Sequence, residues 1–264
     1  MPTPLRCCLP LLLYMTLSVA PALAAIGGPL QEIVTSGKNL VMHWPDFSDY
    51  REHVEEFYAR RDFAPAWFDG GKPTSAAALL IEALRQADAK GLNAVDYDSE
   101  LLGRALQQGL AGDAAALDVA LTVAVMRYIS DLRVGRVDYR SQSNDFDIPD
   151  KRLHLPAFVD ELSRSAEIGQ QLDSVEPGLP QYERLITALA RYRQLAADPQ
   201  LAERLDDSRT IHPGEPYAQA RQLAYRLHAL GDLPAMPAAS DTYTQELAAG
   251  VRHFQQRHGI DQDG

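Results

Sequence analysis

Apolar positions recur with a helical period along most of the chain. Tyr50, Val54, Phe57, Tyr58 and Arg61 fall at i, i+4, i+7, i+8 and i+11, on one face of a helix closed by Arg60-Arg61-Asp62. Phe63 to Phe68 then reads as an aromatic turn and Asp69-Gly70-Gly71 as a breaker. Ser75 is placed to cap a second helix with Leu79, Leu80, Ala83, Leu84 and Ala87 inward and Gly91 beyond its end. Asp98 is placed to cap a short third helix carrying Leu101, Leu102, Ala105 and Leu106. Asp113 opens a long fourth one, with Leu117, Leu121, Ala124, Tyr128 and Leu132 on one face and Val125 and Ile129 beside them. Apolar on much of its circumference, this segment is expected to be the central buried helix, while Asp118, Thr122 and Arg127 argue against a membrane span.

Arg133 to Asp138 ends that helix, a polar loop follows from Ser141 to Asp150, and a helix is expected near Pro156 to Arg164. Beyond the break at Pro177-Gly178-Leu179-Pro180, Tyr182, Leu185, Ile186, Leu189 and Tyr192 share a face, with arginines 184, 191 and 193 opposite. Residues 201–216 lose this periodicity, contain His212-Pro213-Gly214, and read as a linker. Two more helical patterns follow. Tyr217, Ala220, Ala224 and Leu227 mark one, ended by Leu230-Gly231; Leu247, Val251 and Phe254 mark the other, ended by Gly259. The sequence shows no alternating strand pattern and no internal repeat. The fold class expected is all-α, in two domains: 44–200 and 217–264.

The N-terminus changes the picture of where the chain works. Arg6 is the only charge before a nearly all-apolar run from Cys7 to Ala20, and Ala22-Leu23-Ala24 offers small residues for cleavage before Ala25. A membrane anchor is the other reading, but the run is short for a bilayer and Pro10 and Pro21 interrupt it. Residues 1–24 are therefore expected to be a signal peptide, followed by a loosely ordered leader over 25–43, with export to the periplasm and no stable membrane span after cleavage. Cys7 and Cys8 precede the apolar run, which argues against a lipoprotein signal, and they are the only cysteines. The mature chain then has neither a disulfide framework nor a thiol nucleophile.

The net charge of −11 disfavours nucleic acid as a partner, and no basic stripe is interleaved with aromatics. Candidate chemistry is thin. The seven histidines are His43, His53, His154, His212, His228, His253 and His258, and none has the i, i+4 spacing around a glutamate that a zinc hydrolase helix needs. His253 and His258 diverge on a helix. Glu55-Glu56 and Asp206-Asp207 are adjacent pairs that face different ways, though a carboxylate pair assembled from distant positions stays open. Asp69-Gly70-Gly71-Lys72 lacks the spacing of a phosphate loop, and there is no Gly-x-Ser-x-Gly elbow. No catalytic, cofactor-binding or metal-binding residue is assigned, and no cofactor is expected.

Four blocks of residues point further. Phe57 to Phe68; Leu84 to Tyr97 with Ala87, Gly91-Leu92 and Asp96-Tyr97; Leu132-Arg133-Val134-Gly135-Arg136-Val137; and Pro180-Gln181-Tyr182 with Leu185, Ala188-Leu189 and Arg191-Tyr192-Arg193 together resemble the helical scaffold of long Gram-negative L,D-transpeptidases. One departure is Tyr139, where that pattern has a proline after Asp138. The final segment is similar to the small three-helix peptidoglycan-binding domain of the same enzymes, through Leu223, Arg226-Leu227, Leu230-Gly231-Asp232-Leu233, Tyr243, Val251, Phe254-Gln255, His258-Gly259-Ile260 and Asp263-Gly264.

The resemblance implies a periplasmic protein whose partner is peptidoglycan, both glycan and stem peptides. The expectation is a scaffold plus a wall-binding domain left incomplete at Gly264. A catalytic domain with a histidine and a Ser-His-Gly-Cys block would lie beyond that residue, so the 264 residues themselves would not catalyse transpeptidation. The alternatives are a peptidoglycan amidase or muramidase with a missing catalytic domain, a non-enzymatic periplasmic adaptor, and a helical domain without wall affinity. Several side chains carry two readings. Trp67, Phe63 and Phe68 could stack on sugar or seal the core; Arg133 and Arg136 could hold a carboxylate or complement a helix end; Arg252, Gln255 and Gln256 could reach the wall or form a solvated face, beside a core Phe254.

Overall fold

A computed structural model describes residues 28–70, 72–108, 114–136, 153–206 and 208–264. The signal peptide expected at 1–24, the cap at Asp113, the turn at Asp138-Tyr139, the Ser141 to Asp150 loop, Gly71 and Asp207 lie outside the described residues. Eleven helices and a single two-stranded hairpin make up the regular structure described, so the fold class is all-α. Contacts group the chain into two units. One comprises Met1–Glu82, Val95–Ile129 and Asp147–Ile168; the other comprises Ala83–Ala94, Ser130–Phe146 and Gly169–Gly264.

In the first unit, the segment expected to be a loose leader holds a helix, α1 (Pro29–Ser36). Proline at its first turn is pre-set for a helix, and Leu30 and Val34 are spaced i, i+4, so both reach the interior; this corrects the expectation for those residues. Helix α2 (Arg51–Ala59) buries Val54, Phe57 and Tyr58 and packs on α1 and on α6 (Leu155–Arg164). After α2 the backbone turns through Asp62 and Phe63, both at positive φ (50° and 57°), into strands β1 (Phe68–Asp69) and β2 (Lys72–Pro73). The strands pair antiparallel, Phe68 with Pro73 and Asp69 with Lys72.

Helix α3 (Ser75–Arg85) starts one residue earlier in register than Ser75 as a cap requires. The Thr74 hydroxyl accepts from the Ala77 N–H at 3.1 Å, so threonine is the cap. Its buried stripe is Ala77, Leu80, Ile81 and Leu84, leaving Leu79 half exposed, contrary to the sequence expectation. Two 3-10 turns follow, Ala87–Lys90 and Ala94–Tyr97, and then α4 (Ser99–Gln108). Asp98 precedes α4 as expected, but its carboxylate turns away from the helix and accepts the His43 N–H at 2.6 Å. Helix α5 (Ala114–Arg133) is buried on almost every side from Ala116 to Val125, as its all-round apolar pattern predicts.

The second unit contains α7 (Ile168–Val175), α8 (Pro180–Ala196), α9 (Pro199–Ala202), α10 (Ala220–Leu230) and α11 (Gln245–His258). Helix α8 has no fully buried residue, and Leu185 is 68% exposed. It is held laterally to the Ala87–Lys90 turn, where Arg193 meets Asp88 at 2.9 Å; Lys90 pairs with Glu176 at 2.5 Å. Helices α10 and α11 pack on each other around Tyr217, Ala220, Ala224, Leu227, Leu233, Tyr243, Leu247 and Ala248. Gly231 ends α10 in the left-handed region, which lets the Asp232 N–H return to Leu227 O at 2.7 Å. Inside α11, a β-carbon on Gly250 would stand 2.9 Å from Leu233 and 3.1 Å from Leu227. Close helix approach at that point accounts for glycine where it otherwise weakens a helix.

Candidate functional site

The first unit is organised around a buried carboxylate. Asp118 and Thr122, one turn apart on α5, are both fully buried. Asp118 accepts the Tyr58 hydroxyl at 2.7 Å, the Ala66 N–H at 3.0 Å and the Trp67 N–H at 2.8 Å. Thr122 takes the Trp67 indole N–H at 2.8 Å and lies 2.7 Å from the Tyr58 hydroxyl. The network fastens the 63–68 turn to the central helix and satisfies donors that the interior would otherwise strand. Burial pushes the Asp118 carboxyl up, against the opposing pull of these donors. A raised acid binds its proton more readily in the fold than out of it. The stability that Asp118 contributes therefore falls as pH rises from the ordinary carboxylate range through its raised value.

Trp67 stacks on Phe57 with ring centroids 6.1 Å apart and no exposed face; Phe68 is also buried and Phe63 half-buried. Trp67 and Phe68 are therefore core residues. Across the same unit, a tight loop holds Leu40, Val41 and Trp44 outward, because Asn39 beneath it donates to Ala116 O at 2.7 Å.

The second unit carries the segment read as a linker, and the part of it from Leu201 to Asp206 is bonded to α10 and to Gln219 just before it. Arg226 donates to the carbonyls of Leu201 and Glu203, Gln222 to the Glu203 carboxylate at 2.7 Å, and Tyr225 to Asp198 at 2.6 Å. Gln219 donates to Arg204 O and accepts the Asp206 N–H. Arg209 pairs with Glu215 at 3.0 Å. These contacts shape an open groove of about 690 Å³ lined by Arg204, Asp206, Arg209, Ile211, Tyr217 and Gln219, among others. Its charges are mixed, so its shape alone selects no ligand.

Helix α11 is locked to the end of α10 through Asp232, whose side chain is fully buried. Arg257 grips both its oxygens (3.1 and 2.7 Å), and His253 Nδ1 lies 2.8 Å from one of them. The Arg257 guanidinium beside Asp232, and then His253, hold its carboxyl below the ordinary carboxylate range. A lowered acid stabilises the fold fully above its unfolded value and ceases to do so as pH falls through the folded value. Amide protection in α11, taken relative to the intrinsic exchange rate at each pH, is therefore expected to fall on acidification below the ordinary carboxylate range, and Asp232→Asn should remove that acid-dependent component. An unchanged acid profile in Asp232→Asn would refute the assignment. Arg191 on α8 donates to Ala229 O and Leu230 O at 3.2 and 2.9 Å, capping α10.

The other residues singled out in the sequence are dispersed. His154 caps α6 through Ala157 N–H and sits 3.5 Å from Glu56, which pairs with Arg60. His43 meets Trp44 edge to face, His53 lies beside Tyr50, His228 contacts Leu233 O, His258 packs on Phe254, and the His212 N–H donates to Glu215. Asp206 accepts the Ser208 N–H. Arg136 approaches Asp131 at 3.9 Å near the end of α5. Gln255 bonds Asp263 and Gly264, and Phe254 is half-buried against the α10–α11 core. Among the described residues, no three or more His, Cys, Asp or Glu side chains are placed to hold a metal, and no helix is long and apolar enough to cross a membrane.

Residues 52–189, more than half of the chain, match the Scaffold domain family. The chain belongs to that family. The matched span begins in α2 and ends within α8, and it contains the Asp118 network. No curated protein matches the chain. No solved structure matches it either. Asp118, which anchors the scaffold, was visible in the sequence only as a polar break in an apolar helix; Thr122 four residues on, on the same face, was the signal of a shared partner. Asp232 and Arg191 fell inside resembling blocks, but their pairings link distant positions and carry no local signal.

Proposed function

We propose that this chain is the non-catalytic scaffold and wall-binding portion of a periplasmic L,D-transpeptidase that cross-links peptidoglycan stem peptides. The observation that carries the reading is the Scaffold domain match over 52–189, because it coincides with the blocks that resemble the helical scaffold of those enzymes. Support for wall binding comes from the 217–264 segment. Its two helices share one apolar core, and the resembling residues Leu227, Leu233 and Tyr243 are buried in it, with Leu223, Val251 and Phe254 packed against it.

Two measurements test this. The full chain should be retained by insoluble peptidoglycan and released when a muramidase digests it; failure to be retained would reject wall binding. Coding sequence beyond Gly264 should carry a histidine followed by a Ser-His-Gly-Cys block. Zinc ligands or paired carboxylates there would favour an amidase or muramidase, and an immediate stop codon a non-enzymatic adaptor.

A further inference from the structure

A second cavity, of about 220 Å³, lies between α10 and the N-terminal end of α11, beneath the loop from Met236 to Ser240. Its floor is small and apolar: Ala220, Ala224 and Leu247 are each at most 2% exposed. The hydroxyl residues Ser240 and Thr242 stand on its lining. Arg221 is the single ionisable side chain on that lining, and among the described residues it makes no hydrogen bond or ion pair. Thr244, the N-cap of α11, brings the positive end of that helix to the same wall. In a chain of net charge −11, this is a local inversion of sign beside an alanine-lined hollow.

We propose that this cavity binds the free carboxylate end of a short peptide whose terminal side chain is methyl-sized. A guanidinium and a carboxylate form a charge-assisted, bidentate pair, whereas an amidated or amine end would leave Arg221 unmatched. The volume lies below that of a typical small-molecule site, so it admits one or two small residues. Alanine floors accept a methyl group, and the hydroxyls offer partners to the peptide amide. Resting on the wall-binding reading above, the natural ligand is the free carboxylate end of a peptidoglycan stem peptide.

The test is titration of the ¹⁵N-labelled full chain with N-acetyl-D-alanyl-D-alanine and, separately, with its C-terminal amide. The acid should shift the amides of Ala220, Ala224 and Leu247, and the amide should bind at least tenfold more weakly. Arg221→Gln should lose at least tenfold in affinity for the acid while keeping its circular dichroism spectrum, since Arg221 is exposed. Arg221→Lys should recover part of the loss. Equal binding of acid and amide, no shift at the lining residues, or an unaffected Arg221→Gln would overturn the proposal. Peptidoglycan retention is the separate arm. Retention without a dipeptide response rejects the cavity and leaves wall binding standing; a dipeptide response without retention does the reverse.

Discussion

Asp118→Ala should destabilise the fold by about 3–5 kcal/mol, read as a lower midpoint in urea denaturation followed by circular dichroism. The substitution strips the acceptor from the Tyr58 hydroxyl and from two backbone N–H groups inside the protein. Each stranded buried donor costs about 1–3 kcal/mol, well above the net value of a typical hydrogen bond. The Tyr58 hydroxyl keeps Thr122 Oγ1 at 2.7 Å as a partner, so the loss should not reach the sum of three full penalties. Asp118→Asn retains one acceptor oxygen and removes the charge that burial disfavours, so its cost should be smaller, about 1–2 kcal/mol. An Asp118→Ala midpoint indistinguishable from the parent would show that the 63–68 turn is held by packing alone.

The second large effect is expected at Leu227. It is 4% exposed at the centre of the α10–α11 core, which has only eight buried residues. Leucine-to-alanine changes in cores cost about 2–5 kcal/mol through lost transfer energy and the cavity left behind. A core of that size has little reserve. Leu227→Ala should therefore abolish amide protection over α10 and α11 in hydrogen exchange followed by mass spectrometry, with α5 as the internal reference. The parent already should exchange faster over 217–264 than in α5, where apolar burial is denser. Protection in α10 and α11 that survives the substitution would mean that the Asp232 lock and the bonds to residues 198–206 hold these helices without the core.

What could be read from the chain alone was what depends on local period and composition. Helices α2, α5, α10 and α11 followed their apolar spacing, and Gly231 and Gly259 ended theirs as glycines at C′ positions do. What depended on rotation or reach was missed. A hydroxyl one residue earlier, on Thr74, was better placed than Ser75 to meet the α3 N–H groups, and the buried stripe of α3 turned so that Ile81 went in and Leu79 out. Helix α1 is eight residues long with two inward side chains, too short for periodicity to separate from a loose leader. Arg252, Gln255 and Gln256 carried two readings from the sequence, a wall contact or a solvated helix face. Gln255 faces the chain's own residues 263–264, while the cavity beside Arg221 arises from residues scattered over 220–247, a grouping no spacing rule encodes.

Arg191 gives the family boundary a practical meaning. The Scaffold domain match stops at Leu189, yet two residues later the same helix supplies the guanidinium that closes the carboxyl end of α10. The edge of the matched span therefore runs through the body of α8. Exchanging the last two helices between related proteins would have to carry residues 180–196 with them, because a graft made at the edge of the matched span would separate α10 from its own cap.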